Sequence, residues 1–434
     1  MGSYYTLYVG NVKIWDGGSY VGNDATSLFC EADRIQIPIH RTVQAIFHQE
    51  WLNKRCETEA PEEVDRYLNR QSYLYRCTVG EAIDRLDVRG FTLVAAKEQF
   101  KMAVAEHRQW YPRRGPLGAI PRGFNFAAWS GAVREAIVRN AGLSAWSAED
   151  HEAFEGVPLL AASPLSLGAN RLLFCPHDED ADIRASLRAL LEQFDRETVI
   201  ELDYTALVEG GYHGEDEELC AQDGKHIVLT EGPSDVQLLQ PALRLLYPHL
   251  SDIFHFMDFG GTGFSGGVGA LGNAVRAFVG SSIQNPIIAL FDNDTAGREV
   301  LAALGKVAMP PNIRLIPLPP LKMARRYPTL GPEGTRKLDI NGRACSLELY
   351  FGQDVLAQDD GALTPVQWTG YVKSMKQYQG EILDKNRLQD RFREKLRRAE
   401  ADPTSIAAMD WEGMREIFQA MFTAFKKAPA PLHR

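Results

Sequence analysis

Three short apolar runs that end in an acid constrain the fold of this chain more than any other feature. They are HIVLTEG (226–232), IFHFMDFGG (253–261) and PIIALFDNDTAG (286–297). Helical stretches follow them at 234–247, near 268–279 and at 297–307, and NIRLIPLPP (312–320) closes the series. Short apolar strands alternating with helices predict a mostly parallel sheet covered on both faces. In such sheets ligands collect beyond the carboxyl ends of the strands. Here those ends carry Glu231, Asp258 and Asp292. A buried strand that finishes in an unpaired carboxylate is costly unless a cation or a hydrogen bond compensates. Three strands ending this way suggest one shared cation.

The spacing sharpens that expectation. In Asp292-Asn293-Asp294 the two aspartates lie two apart on an extended strand end, so they point to the same side. Gly297 gives the chain freedom to turn into the next helix. In Glu231-Gly232-Pro233-Ser234-Asp235 the glycine permits a tight turn and lets a phosphate approach the backbone. Asp235 falls in the first turn of the following helix. All these donors are hard oxygens, which suit Mg²⁺ or Mn²⁺ rather than zinc. Plainer roles exist for the same residues. Glu231 and Asp235 suit a helix N-terminus, and Asp292-Asn293-Asp294 suits an ordinary turn or an N-cap. Asp258 suits a turn before Gly260 and Gly261, and Glu348, in CSLELYF, a solvated amphipathic face.

E-G-x-x-D after one strand and D-x-D-x-x-G after a later one make residues 224–352 resemble the TOPRIM domain. That domain is shared by type IA and II topoisomerases, bacterial primases, small RNA-maturation nucleases and OLD-family nucleases. The resemblance implies a Rossmann-like, mostly parallel α/β sheet. It implies that Glu231, Asp292 and Asp294 bind or work with Mg²⁺ or Mn²⁺, that Asp235 supports them, and that the first glutamate can act as general acid or base. OLD-like nucleases use two metals, about 4 Å apart in the two-ion arrangement. Asp258 and Glu348 sit where their extra acids are expected, and Lys385, in GEILDKNRL, is the candidate for their assisting lysine. The function implied is a metal-dependent nuclease that cuts DNA or RNA. A topoisomerase would need a nucleophilic tyrosine in a DNA-gripping domain, and a primase usually brings a zinc-binding cysteine cluster; neither is legible here.

The remainder suggests two flanking regions. YYTLYVGNVKI (4–14) reads as a strand before a Gly-rich turn at Asp16-Gly17-Gly18, and 61–110 reads as mainly helical, broken near Gly90. Residues 112–123 form a Pro-, Gly- and Arg-rich loop, and 124–140 resume a helix. RLLFC (171–175) reads as a strand, 178–197 as an amphipathic helix, and 199–207 as a strand or turn. The polar stretch 210–225 is the best domain boundary, and 364–427 reads as helical and strongly charged. YYTLYVGNVKIWDGGSYV, LFCEAD and AIDRLDVRGFTLVAA make residues 1–215 resemble the HEPN/Toprim-associated N-terminal domain, which precedes a HEPN ribonuclease or a TOPRIM domain in bacterial anti-phage conflict proteins. The expected organisation is an N-terminal α+β domain (1–215), a TOPRIM catalytic domain (224–352) and a helical C-terminal extension (353–434). No R-x-x-x-x-H pair of the HEPN ribonucleases is found in a helical C-terminus.

Composition limits the partners. The net charge of −10 is awkward for a protein that holds nucleic acid, whose affinity usually comes from Lys and Arg. Local basic patches must then supply the attraction, at Arg113/Arg114 with Arg122, at Lys322/Arg325/Arg326, or along Arg387–Arg398. The last of these also reads as a solvated helix face. Trp110-Tyr111 beside Arg113 could stack on a base, although core packing is the plainer role. GGTGFSGGVGALG (260–272) has no lysine after its glycines, so it reads as a flexible loop over the site rather than a nucleotide loop. Cys175-Pro176-His177 lacks partner ligands in the sequence, and His213, in GGYHGED, reads as a polar loop histidine. Six scattered cysteines fit free thiols in a reducing cytoplasm. No membrane span and no secretory signal are expected. With no ATPase motif, an ATPase or sensor protein encoded nearby is an expected partner, and a homo-oligomer is another.

Overall fold

The computed structural model describes residues 4–18, 20–47, 53, 60–110, 123–140, 174, 182–220, 224–258, 266–332 and 334–426. Arg113, Arg114, Arg122, Tyr111, Cys175, Pro176, His177, residues 171–173 of the strand expected at 171–175 and the loop residues 260–265 lie outside the described residues. The chain forms two compact units that part between residues 223 and 224.

The first unit is built on a five-stranded antiparallel sheet of β1 (Tyr4–Val9), β2 (Val12–Gly18), β3 (Arg34–Pro38), β4 (Gln71–Thr78) and β5 (Val199–Asp203), in the order β2-β1-β5-β4-β3. Helices α1 (Val79–Val88), α2 (Leu93–Trp110), α3 (Phe126–Asn140) and α4 (Arg184–Leu191) supply its apolar partners. Leu7, Ile200 and Leu202 of the sheet share one core with Leu86, Phe100, Trp129 and Leu190. The opening differs from the sequence expectation. The turn is made at Gly10, whose φ of 57° suits glycine, and Asp16-Gly17-Gly18 belong to β2. A Cβ at Gly17 would fall 2.2 Å from the Tyr5 ring, so this glycine makes room rather than a turn.

The helical reading of 61–110 is also corrected, because Gln71–Thr78 is a strand. The cause is a start signal at its far end. Thr78 Oγ1 accepts from the Glu81 amide (3.2 Å) and Glu81 Oε2 accepts from the Thr78 amide (2.8 Å). This capping box starts the helix at Val79, so the alternating residues before it pair as sheet.

The second unit holds a four-stranded sheet, all parallel, of β6 (His226–Leu229), β7 (Phe254–Phe256), β8 (Ile287–Phe291) and, after the two-residue β9 (Asn293–Asp294), β10 (Ile313–Pro317). The order is β10-β8-β6-β7. Helices α5 (Pro233–Leu246), α6 (Val268–Ser281) and α7 (Thr295–Leu304) connect the strands. Ile287, Ala289 and Phe291 pack with Leu271, Val275 and Leu304. His226 and Phe254 meet Phe425 and Phe422 at the end of the last helix, where ring centroids are 5.3 and 5.8 Å apart. Apolar cover of this kind explains why β8 is buried along its whole length.

A second sheet follows in the same unit, ordered β12-β11-β14-β15, from β11 (Tyr327–Gly331), β12 (Gly334–Leu338), β14 (Val366–Val372) and β15 (Gln377–Ile382). Between them, β13 (Ala344–Cys345) pairs with β9. The expectation that 364–427 is helical is therefore corrected for 366–382. Val366, Trp368, Tyr371, Val372, Tyr378 and Ile382 are β-branched or aromatic residues that favour a pleated surface. Helix begins at α8 (Lys385–Ala401) and ends with α9 (Glu412–Phe422). Among the described residues no helix is long and apolar enough to cross a membrane.

Candidate active site

The order β10-β8-β6-β7 makes a switch point. The connection leaving β6 runs to β7 on one side, and the connection leaving β8 runs to β10 on the other. Their loops diverge and leave a crevice at the carboxyl ends of β6 and β8, the place where open α/β sheets bind ligands. Glu231 lies two residues past β6 and Asp292 directly follows β8.

The two loops are tied across that crevice. The Asp292 amide donates to Glu231 Oε1 at 2.9 Å. Asp292 Oδ1 in turn accepts from the Leu347 amide at 3.1 Å, because β13 pairs with β9 and delivers residues 346–348 to the same place. Asp235 is the third residue of α5, and its Oδ2 accepts from the Gly232 amide (3.0 Å). Asp294 caps α7 by accepting from the Gly297 amide (2.7 Å). The capping role expected from the sequence is thus real for Asp235 and Asp294. Each of the four acids rests one oxygen on a backbone N–H.

Glu348 is fully buried. Its Oε2 accepts from Ser346 Oγ (2.7 Å), and its Oε1 accepts from Gln389 Nε2 (2.8 Å) and lies 3.2 Å from Lys385 Nζ. Lys385 is the first residue of α8, where the helix dipole disfavours a cation. The acids opposite explain its position. Gln379 of β15, not singled out from the sequence, donates through Nε2 to Asp294 Oδ2 (2.7 Å) and accepts at Oε1 from the Ala296 amide (3.1 Å). Gln389 shares a helix face with Lys385 at a spacing of four, the one signal that could have found it. Gln379 had none, because its position depends on the β14–β15 pairing.

Electrostatics joins the same residues. Burial pushes the Glu231 carboxyl up to about 7, and Asp294 and Asp235 push the same way against the Asp292 amide and Lys385. Burial also lifts Asp235, to about 6, with repulsion from Glu348 and opposition from Lys385 and the Gly232 amide. Asp292 is held well above the carboxylate range by burial and by Glu231, Asp235, Asp294 and Glu348. For Lys385, burial disfavours the ammonium, but Glu348 and Asp292 outweigh it and raise its pKa. Asp258 is exposed two residues past β7. The contacts described above run through Glu231, Asp235, Asp292, Asp294, Glu348 and Lys385.

The glycines act differently from their sequence reading. Gly297 does not serve as a hinge. It sits inside α7, and a Cβ there would lie 2.4 Å from the Asp292 carbonyl oxygen. Gly232 has extended backbone at φ −154° and its Cβ would make only ordinary contacts, so the turn does not demand glycine. The Gly267 amide donates to the Glu231 carbonyl (2.7 Å), which brings the start of α6 against the same loop.

The donor set suits a hard divalent cation: all its atoms are carboxylate oxygens, and their mutual repulsion is what a cation relieves. As the side chains stand, no group of three or more His, Cys, Asp or Glu among the described residues is arranged to hold a metal ion. Of the sequence-read basic patches, the run on α8 is engaged locally. Arg387 lies near Asp359 (3.5 Å), Arg393 bonds Asp390 (2.7 Å) and Arg397 lies against Glu394 (2.8 Å). Lys322, Arg325 and Arg326 are exposed. His213 pairs with Glu217 at 3.0 Å.

Comparison with curated proteins and with solved structures gave no match. A protein-family model does match, over residues 1–226, and its description is HEPN/Toprim N-terminal domain 1. The candidate acids lie beyond the matched stretch, so that match speaks for the first unit. Since it spans more than half of the 434 residues, the chain belongs to the HEPN/Toprim N-terminal domain 1 family.

Proposed function

We propose that this protein is a Mg²⁺- or Mn²⁺-dependent nuclease, that its second unit is a TOPRIM-type domain similar to that of OLD-family nucleases, and that it acts as an effector in bacterial anti-phage defence. Membership of a Toprim-associated family supports a nucleic-acid-related function. The observation that carries the finer reading is the hydrogen bond from the Asp292 amide to Glu231 Oε1 at the switch point of a parallel sheet, with the charges of Asp235, Asp294 and Glu348 acting on Asp292.

Glu231, Asp292 and Asp294 would hold one ion, with Asp235 and Glu348 available for a second. A bound ion would supply positive charge against the negative charge that develops on a phosphodiester. The chain's own part is positional. Backbone amides fix one oxygen each of Glu231, Asp292, Asp235 and Asp294, and Gln379 holds the second oxygen of Asp294, so these carboxylates have little freedom left to lose. Lys385, held charged by its acidic neighbours, can donate to a phosphate oxygen.

The test is incubation of purified protein with plasmid, single-stranded DNA and total RNA, in Mg²⁺ or Mn²⁺ and in EDTA. Metal-dependent cutting that Asp292→Ala abolishes while the fold persists is expected. Equal cutting by wild type and variant overturns the assignment.

A second reading has its own observation. Asp294 is engaged by both Gln379 and Gly297, and Glu348 by Ser346, Gln389 and Lys385, with no ready three-ligand group among the described residues. This favours a site silent at rest that an ATPase or sensor partner opens. Cutting that needs a protein encoded nearby, with the two co-eluting in size exclusion, supports it; free cutting by isolated protein weakens it.

A further inference from the structure

The hairpin β14–β15 carries an aromatic face that the site chemistry does not use. Tyr371 and Tyr378 are direct cross-strand partners, and their ring centroids are 5.1 Å apart. Trp368 also meets Tyr378, at 6.2 Å. A register irregularity between Trp368 and Gly370 accounts for this, since residues three apart in a regular strand would face opposite sides. Tyr371 is 51% exposed and Tyr378 59%. Trp368 beside them is half-buried, so the three rings form one continuous aromatic surface, the kind of surface that binding faces use.

The hairpin's own charge from residue 366 to 380 is positive, while Glu299 of α7 meets its turn at Ser374 and Glu381 follows on β15. Lys373 and Lys376 stand exposed at the hairpin turn, and no acid occurs from Val366 to Gly380 in a chain whose net charge is −10. On β12, Arg336 is exposed, and register places it on the Trp368 side: it pairs with Thr329, Thr329 pairs with Val366, and Val366 lies two before Trp368. The same hairpin is fastened to the candidate site. Thr295 Oγ1 donates to the Tyr378 carbonyl (2.8 Å), and the next residue, Gln379, donates to Asp294.

We infer that Trp368, Tyr371 and Tyr378 form a stacking platform for unpaired bases, with Lys373, Lys376 and Arg336 drawing in the phosphates, so that the substrate is single-stranded or locally unpaired nucleic acid. Rings accept any base face, and cations beside them neutralise the backbone, which is how strands are held without sequence preference. A duplex hides those faces in its own stack. This inference rests on the nuclease reading for its meaning, but the platform can be tested without chemistry.

The experiment measures binding of the full-length protein in EDTA, where no cutting occurs. The probes are labelled single-stranded DNA, single-stranded RNA and duplex DNA of equal length. Wild type is expected to prefer the single strands, and the DNA and RNA arms show which sugar it favours. Trp368→Leu with Tyr378→Leu, which keep apolar bulk without a ring, are expected to weaken single-strand binding about tenfold or more. Trp368→Phe with Tyr378→Phe are expected to restore most of it, which excludes misfolding as the cause. Equal binding by the Leu variant, a wild-type preference for duplex, or no binding at all overturns the platform. So does a change of oligomeric state in the Leu variant with binding intact, which would assign the face to a second copy of the chain. None of these outcomes touches the nuclease reading, which stands or falls on metal-dependent cutting and Asp292→Ala.

Discussion

The amide of Asp292 donates to Glu231 Oε1 at 2.9 Å, which fastens together the loops that leave two adjacent parallel strands. The bond orients one acid by the backbone of the other, while their side-chain charges still repel. That repulsion, opposed by backbone amides and by Lys385, makes the cluster sensitive to protons and to cations.

Stability of the metal-free protein should fall as pH rises. A carboxyl whose folded pKa is above its unfolded value contributes stability that is present at low pH and lost as pH climbs to the folded value. The window for Glu231 runs from 4.5 to about 7, and that for Asp235 from 3.8 to about 6. In EDTA the loss from about pH 5 to about pH 8 is expected to be on the order of 4 kcal/mol. Mg²⁺ should raise the melting temperature clearly at the higher pH and little at the lower, because a cation replaces the missing protons. A metal increment equal at both ends would count against a shared carboxylate site.

Gly297→Ala should cost about 1–3 kcal/mol, since its Cβ would need the space of the Asp292 carbonyl and backbone cannot step aside cheaply. Metal-dependent cutting should fall with it, because the displaced segment carries Asp292 and Asp294. Gly232→Ala is the control and should stay within about 1 kcal/mol of wild type. Denaturant midpoints check both, and equal losses would show that the close approach at Gly297 is not the cause.

Gln379→Leu removes a donor to Asp294 and an acceptor for the Ala296 amide. Metal affinity, read by titration calorimetry with Mn²⁺, should drop about tenfold to a hundredfold, as when a group that orients a ligand is lost. Increased cutting by the isolated variant would instead mean that Gln379 holds Asp294 closed, and would favour the partner-gated reading.

Local pattern made part of this legible. Apolar runs ending in acids point to parallel strands because a buried strand of the sheet centre has no polar residue until it emerges at its carboxyl end. By the same local logic a Thr-x-x-Glu box at Thr78 could have ended the helical reading of 71–78. The hairpin at 366–382 was hidden by the charged helix that follows it.

The sequence by itself determined which strands end in Glu231, Asp258 and Asp292, since strand and turn signals act over a few residues. Only tertiary structure decided which acids meet. Strand order puts β6 between β7 and β8, yet the polar contacts tie Glu231 to Asp292 and leave Asp258 exposed. The two-residue pairing of β9 with β13 delivers Glu348, and α8 delivers Lys385. The partners of these side chains come from strand pairings and helix packing between segments far apart in the chain, and no local periodicity encodes the register of such a pairing.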